Sequence, residues 1–225
     1  MMKTYTIVGG VNGCGKSSLT GVLKSLEPNM GIIIDPDDIA KKSNLSSYGV
    51  GRKTIEKIQK CLSENISFTQ ETTLAGRYTQ KVAKQAQSQN YHIRLYYVGL
   101  DTLEESLERI QNRVKKGGHN IPQEIVSRRY AKRFRSLCRI LPYCNEAALY
   151  DNYNGFTEVA QYRNGELIIE TPTPPQWISE FQKYLQKNGK RRLYQKVCKL
   201  FYGLHTFFTG SFLFFYAVIG TTYTP

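Results

Sequence analysis

Nine residues near the start of the chain, Gly10 to Ser18 (GVNGCGKSS), combine three glycines with a lysine and two serines, directly after an apolar run. The spacing Gly-x4-Gly-Lys-Ser is that of a phosphate loop. In such loops backbone N–H groups converge on a phosphate, the lysine reaches the β- and γ-phosphates, and the serine binds Mg²⁺. The sequence therefore predicts an ATP-binding site made by Gly10, Asn12, Gly13, Cys14, Gly15, Lys16, Ser17 and Ser18.

Cysteine usage bears on both the loop and the compartment. The chain has five cysteines and no Cys-x-x-Cys pair, which fits a reducing cytoplasm better than a disulfide framework or a zinc site. Cys14 lies inside the predicted loop, where the end of a helix could lower its pKa and make the thiol oxidisable. The alternative, which we favour, is that Cys14 is a small residue at a permissive position.

The elements that must position the loop follow from hydrophobic patterning. Apolar runs alternate with helical periods, which predicts an α/β, three-layer P-loop fold with a mainly parallel sheet. Predicted strands cover residues 4–8, 31–34, 67–70, 92–98 and 147–150, and predicted helices 18–26, 54–65, 79–89, 102–115 and 123–137. Asn164-Gly165 predicts a hairpin between residues 158 and 170, and a short helix is expected at 177–185.

Carboxylates follow the second and third predicted strands. Asp35 and Asp37 come after the second strand, where one could orient Mg²⁺ and the other could deprotonate a substrate hydroxyl. The competing interpretation of Asp37 is a helix N-cap. Glu71 and Thr73 come after the third strand and could hydrogen-bond a sugar or a hydroxyl, or form a plain cap. Because ligands bind at the carboxyl ends of strands in such sheets, we expect these residues to meet the phosphate loop.

A basic helical pair is predicted to form a lid over residues 109–135. Arg109 and Arg113 lie four apart on one helix, a Lys-Lys-Gly-Gly-His turn ends at His119, and Arg128 follows on the next helix. Arginines facing inward could close on a triphosphate and exclude water. His119 could bind phosphate or stabilise the turn, and each arginine could instead be solvated surface charge.

The overall charge of +13, from 31 basic and 18 acidic residues, admits several partners. Nucleic acid, an anionic membrane or a site for several phosphates would each suit it. Missing motifs exclude several classes of nucleotide-binding protein. The chain has no Asn-Lys-x-Asp element for guanine, no transporter-ATPase signature and too little length for a motor ATPase.

The end of the chain, residues 188–225, forms a basic and then apolar tail. Residues 200–225 contain no Lys, Arg, Asp or Glu and follow a cluster of basic residues. About twenty apolar residues can span a bilayer, but His205 and several glycines interrupt this run. Three interpretations stay open: a membrane anchor over residues 200–223, a segment packed on the rest of the chain or on a partner, and an extension without an evolved role.

Six segments together resemble the zeta-toxin-like P-loop kinases, over roughly residues 3–155. They are Gly10–Ser17, Ile34–Asp37, Glu71–Leu74, Tyr97–Asp101, Gly117–Pro122 and Arg128–Tyr130. The resemblance implies that Asp37 is the catalytic base, that Glu71 and Thr73 bind the acceptor, and that Arg109 is a lid arginine. A second lid arginine has no clean match; His119 falls near it, and Arg113 or Arg128 could replace it.

The sequence thus predicts a kinase domain over residues 1–187 that depends on ATP and Mg²⁺, with Ser17 and Asp35 at the metal. Lys16, Asp37, Arg109 and Arg113 are the expected catalytic residues, and Asp35, Glu71, Thr73 and His119 the expected substrate ligands. The resemblance implies UDP-N-acetylglucosamine as the acceptor and a separate antitoxin as a partner. The alternatives are a kinase or ATPase acting on nucleic acid, which we disfavour, and a non-catalytic ATP-binding module.

Overall fold

Strand β1 (Thr4–Gly10) is buried along its whole length and pairs in parallel with a strand on each side. The computed structural model describes residues 2–27, 29–118 and 120–188. Its seven-stranded sheet has the order β2-β3-β1-β4-β5-β6-β7. The other strands are β2 (Ile32–Ile34), β3 (Phe68–Thr72), β4 (His92–Val98), β5 (Glu146–Asp151), β6 (Thr157–Arg163) and β7 (Glu166–Ile169).

The sheet is parallel from β2 to β5, and the pairings of β5 with β6 and of β6 with β7 are antiparallel. The predicted fold class is therefore confirmed, and so is the hairpin around Asn164, which adopts a φ of 53° in its turn. Because β1, β2 and β3 run in the same direction, their carboxyl ends meet at one edge of the sheet. This edge carries the phosphate loop, Asp35 and Glu71.

Helices follow the strands as the alternating pattern predicts. They are α1 (Lys16–Leu26), α2 (Pro36–Lys42), α3 (Ser47–Ser63), α4 (Tyr78–Ser88), α5 (Leu103–Lys115), α6 (Gln123–Ala131), α7 (Arg133–Ile140) and α8, described over residues 176–188. Two details differ from the sequence prediction. The helix expected at 123–137 is divided at Lys132 into α6 and α7, and α3 begins well before residue 54 because the Ser46 side chain caps its first turn.

Trp177 ties the start of α8 to the carboxyl ends of two central strands. Its side chain is 1% exposed, its backbone N–H donates to Asp101 Oδ1 at 2.9 Å and its indole Nε1 donates to Asp151 Oδ1 at 3.0 Å. Gly99, which follows β4, lies directly under the indole ring. A Cβ atom on Gly99 would approach the ring within 2.2 Å, so the close packing requires glycine.

We expect Gly99→Ala to lower the free energy of unfolding by about 2 kcal/mol or more, because the buried indole cannot move away from the added methyl group. The matched control is Gly21→Ala on α1, where nothing lies within 4 Å of the new Cβ. That substitution should raise the free energy of unfolding by about 0.5–1 kcal/mol, because alanine favours a helix over glycine. Urea denaturation of both variants measures the difference, and equal effects would contradict the packing of Trp177 on Gly99.

The contacts within the chain divide it into residues 1–182 and residues 183–225. In the second unit residues 183–188 are helical, and the predicted tail functions lie in residues 189–225, outside the described residues. Within the described part of the chain, no helix combines the length and apolarity needed to cross a membrane.

Candidate nucleotide-binding and phosphoryl-transfer site

The phosphate loop runs from the end of β1 to the first residue of α1. Gly15 has a φ of 99°, and a Cβ there would lie 2.4 Å from Asn152 Nδ2, so only glycine suits this position. Lys16 Nζ folds back over the loop and donates to the Val11 carbonyl oxygen at 2.8 Å. The lysine ammonium is thus held at the loop, where a bound phosphate would lie.

Ser17, the predicted ligand of Mg²⁺, joins the loop to two neighbouring strand ends. Its hydroxyl donates to Glu71 Oε2 at 2.8 Å and lies 3.5 Å from Asp35 Oδ2. The strand order β2-β3-β1 places these carboxylates there, although Ser17 and Glu71 are 54 residues apart in the chain. The structure therefore brings Ser17, Asp35 and Glu71 together, and their predicted roles at the metal and at the acceptor stay predictions.

Both carboxyl groups at Ser17 hold protons more tightly than they would in water. Burial raises the pKa of Glu71, and the nearby charge of Asp35 adds to this, although hydrogen bonds from Thr20 and Ser17 oppose it. Burial also raises the pKa of Asp35. A hydroxyl and two carboxylates are the oxygen donors that Mg²⁺ prefers, so the residues fit this ion together with a triphosphate. Among the described residues, no group of three or more His, Cys, Asp or Glu side chains forms a metal site by itself.

The raised pKa of Glu71 predicts a pH-dependent effect on stability. In the folded protein this carboxyl binds a proton up to a higher pH than in the unfolded chain, so the free energy of unfolding falls as the pH rises between the two pKa values. We expect Glu71→Gln, without Mg²⁺ or nucleotide, to raise the melting temperature near neutral pH by roughly 2–4 °C. Below about pH 4 the difference should vanish.

Thermal unfolding followed by circular dichroism at several pH values tests this expectation. The control is Glu56→Gln, because Glu56 is on the surface and pairs with Arg52 at 3.0 Å. That variant should change the melting temperature little at any pH. A melting temperature of the Glu71 variant below that of the wild type at neutral pH would contradict a destabilising buried charge.

Asp37, the predicted base, lies in the first turn of α2. Its backbone N–H donates to Asp35 Oδ1 at 2.9 Å, so Asp35, and not Asp37, is the N-cap of this helix. The side chain of Asp37 is left facing outward, with half of its surface exposed, and accepts from Arg113 Nη1 at 3.3 Å. A residue of the predicted lid therefore contacts the predicted base directly.

Arg109 contacts the other flank of the phosphate loop through Asn152. Its guanidinium donates to Glu105 and to the Asn152 carbonyl oxygen, both at 2.5 Å. The Asn152 side chain in turn donates to the Cys14 carbonyl oxygen at 3.0 Å. The sequence prediction missed Asn152; the signal it offered was a polar residue directly after β5, at the edge where the other site residues lie.

On helix α6, Arg129 reaches the loop and Arg128 is exposed. Arg129 Nη1 donates to Asn12 Oδ1 at 3.0 Å, and burial lowers the pKa of this guanidinium. Ser106 on α5 donates to the Asn12 carbonyl oxygen at 2.6 Å. Both lid helices thus contact Asn12. The sequence placed Arg129 in the predicted lid but assigned the contact with ATP to Arg128 alone. The predicted contact of Arg128 with ATP stays a prediction.

The predicted site also includes Cys14, Ser18, Thr73 and His119. Burial raises the pKa of the Cys14 thiol, the opposite of the lowering that an oxidisable thiolate needs, and the side chain is fully buried, which favours the small-residue interpretation. Thr73 is half-buried just after β3, and Ser18 is exposed in the first turn of α1. His119 lies outside the described residues.

No family model matches the chain. An uncharacterised protein of Haemophilus influenzae is 36% identical over 126 residues, which are 54% of this chain and 88% of that protein. A protein of the PezAT chromosomal toxin–antitoxin system of Streptococcus pneumoniae is similar in structure, with a TM-score of 0.55 and 17% identity over 86% of each chain. AvrRxo1-ORF1:AvrRxo1-ORF2 with ATP has a TM-score of 0.53 and 18% identity over 75% of this chain and 61% of that chain.

Proposed function

Since this chain belongs to one family with the Haemophilus influenzae protein and has the zeta-toxin-like P-loop fold, we propose that it is an ATP-dependent phosphotransferase. In this proposal it transfers the γ-phosphoryl group of ATP to an alcohol. The ATP bound in the AvrRxo1 structure supports ATP as the donor.

One observation carries the proposal: the Ser17 hydroxyl donates to Glu71 at 2.8 Å and lies 3.5 Å from Asp35, and Asp37 follows two residues after Asp35 in the first turn of α2. Phosphoryl transfer needs a phosphate cradle, a metal and a group that accepts the proton of the attacking hydroxyl, all close together. A module that only binds ATP has no need of an exposed carboxylate at this place.

The reaction assigns a role to each side chain. Lys16 and the amides of the loop hold the β- and γ-phosphates, and Mg²⁺ bound by Ser17 would neutralise charge on them. The acceptor hydroxyl oxygen forms a bond to the γ-phosphorus, the bond from that phosphorus to the bridging oxygen of ADP breaks, and Asp37 takes the hydroxyl proton. Arg109, Arg113 and Arg129 stabilise the negative charge on the transferring group and on ADP.

For the acceptor we propose UDP-N-acetylglucosamine or a related sugar nucleotide, with Glu71 and Thr73 contacting it. The resemblance to the zeta-toxin-like kinases supports this choice, and Glu71 is close to the phosphate loop, since it accepts a hydrogen bond from Ser17 at 2.8 Å. The test is ADP production by the purified chain with ATP and a panel of sugar nucleotides, nucleosides and RNA ends. We expect turnover with sugar nucleotides. Turnover with RNA ends alone would show that the acceptor is a nucleic acid and not a sugar nucleotide.

The domain limits and the partner are also proposals. We propose a kinase domain over residues 1–187, with its lid over about 109–135, and a separate antitoxin protein. The contacts of α5 and α6 with Asn12 support the lid. The likeness to a protein of a toxin–antitoxin system supports the antitoxin. Toxicity is tested by expressing the chain in growing cells. We expect the wild type to slow growth and the Lys16→Ala variant to allow normal growth.

A further inference from the structure

Helices α4 and α7 pack against each other and share one basic surface. Arg139 Nη1 on α7 donates to the carbonyl oxygen of Gly76, directly before α4, at 3.0 Å. Gln80 on α4 donates to the hydroxyl of Tyr143, which follows α7, at 3.2 Å. We define the basic face as six outward side chains of these two helices and their N-caps: Arg77, Lys81, Lys84, Lys132, Arg135 and Arg139.

The positive charge of the basic face is not balanced by the protein. On each helix the three cations are spaced three and four residues apart, so they form one row along its side. The sequence contains no Asp or Glu between residues 72 and 100 or between residues 125 and 145. In the described part of the chain, no salt bridge involves any of the six side chains. Their charges repel one another, and an anionic partner would remove this repulsion.

The absence of apolar contact surface indicates which anionic partner the basic face suits. Protein interfaces have an aromatic and apolar core, and binding to a membrane surface needs apolar side chains that enter the lipid. Among the described residues, no large apolar side chain of α4 or α7 is exposed. Cations alone are sufficient to bind the phosphates of a nucleic acid, because the bound counterions are released. The surface therefore favours a nucleic acid over an acidic protein or a membrane.

We propose that the basic face binds the phosphates of duplex DNA without recognising its sequence. Packed helices lie about 8–10 Å apart, so the two rows of cations are separated by roughly the width of a DNA groove, about 6–12 Å. The surface thus fits the two rows of phosphates that border one groove. The proposal is independent of the proposed transfer reaction, because the DNA is a second ligand and not the acceptor.

The chemistry of the side chains distinguishes duplex DNA from other nucleic acids. Proteins bind single strands by stacking the bases on aromatic rings. The tyrosines beside the basic face, Tyr78 and Tyr143, are half-buried, and each hydroxyl accepts a hydrogen bond from a glutamine. Lysine and arginine donate hydrogen bonds and accept none, which suits phosphates but gives the 2′-hydroxyl proton of RNA no partner.

The test is the binding of a fluorescently labelled DNA duplex of arbitrary sequence to the full chain, measured by anisotropy at several salt concentrations. We expect the double variant Lys81→Gln with Lys84→Gln to bind about tenfold or more weakly at low salt. Its plot of log affinity against log salt should be shallower by about 2, because two phosphate contacts are lost. Arg135→Gln, in the other row, should make the slope shallower by about 1. The double variant should keep wild-type ADP production, since neither lysine belongs to the candidate site.

Two lysines of α3 provide the matched control, Lys53→Gln with Lys57→Gln. Both are exposed, and they lie on the side of α3 turned away from Gln59, which contacts Tyr78 of α4. This variant removes the same charge and should keep the wild-type affinity and salt slope. An equal loss in both double variants, or none in either, would overturn the inference.

Other polyanions test the choice of partner. Single-stranded DNA or duplex RNA bound as tightly as duplex DNA would overturn that choice. Tighter binding of polyglutamate, or of vesicles that contain phosphatidylserine, would overturn the inference in favour of an acidic protein or a membrane. Loss of ATP turnover in the wild type would count against the proposed function and leave the DNA measurement unaffected, so the two failures are distinct.

Discussion

Replacing Lys16 by alanine is expected to reduce kcat/KM for ATP by about 10³-fold or more while leaving the fold unchanged. The Lys16 side chain is half-buried at the loop. Its ammonium group donates to the Val11 carbonyl oxygen at 2.8 Å, and this is its one hydrogen bond to an oxygen atom among the described residues. It is therefore placed to bind the β- and γ-phosphates as charge builds on them, and such a loss corresponds to about 4 kcal/mol of transition-state stabilisation.

Lys24→Ala is the control for this experiment, since Lys24 lies in the last turn of the same helix and is exposed. It should retain wild-type turnover. Steady-state ADP production measures both variants, and circular dichroism shows whether each is folded. A folded Lys16→Ala protein with unchanged turnover would remove the basis for the phosphotransferase assignment.

Replacing Asp37 by asparagine is expected to lower kcat by about 10²-fold or more with little change in nucleotide affinity. A base acts only while the acceptor loses its proton, and asparagine keeps the shape of the side chain without its basicity. The contact with Arg113 Nη1 at 3.3 Å can persist, because the amide oxygen still accepts a hydrogen bond. The loss should therefore come from the chemical step.

The adjacent carboxylate supplies the control: Asp38→Asn breaks only the surface pair with Lys42 and should leave kcat within about twofold. Calorimetric titration with Mg²⁺ and an ATP analogue, beside steady-state kinetics, separates binding from turnover. If Asp37→Asn abolished nucleotide binding, Asp37 would belong to the metal site. The base would then be Asp35 or Glu71.

The phosphate loop and the strand-end carboxylates could be predicted from the sequence because each depends on a short local pattern. The spacing of Gly10, Gly15 and Lys16 determines a loop between a strand and a helix. The alternation of apolar runs and helical periods determines a parallel sheet, and in such a sheet Asp35 and Glu71 must end at the same edge as the loop.

The contacts across that edge were decided by the tertiary structure. Which of Arg128 and Arg129 reaches the phosphate loop depends on the rotation of α6 about its axis. The pairing of Arg113 with Asp37 joins residues 76 apart in the chain, and that of Asn152 with Cys14 joins residues 138 apart. Helix α6 ends at Ala131 and α7 begins at Arg133, a break that the sequence pattern does not show. Periodicity specifies which face of an element is buried. The packing of elements that are distant in sequence specifies which individual side chains meet.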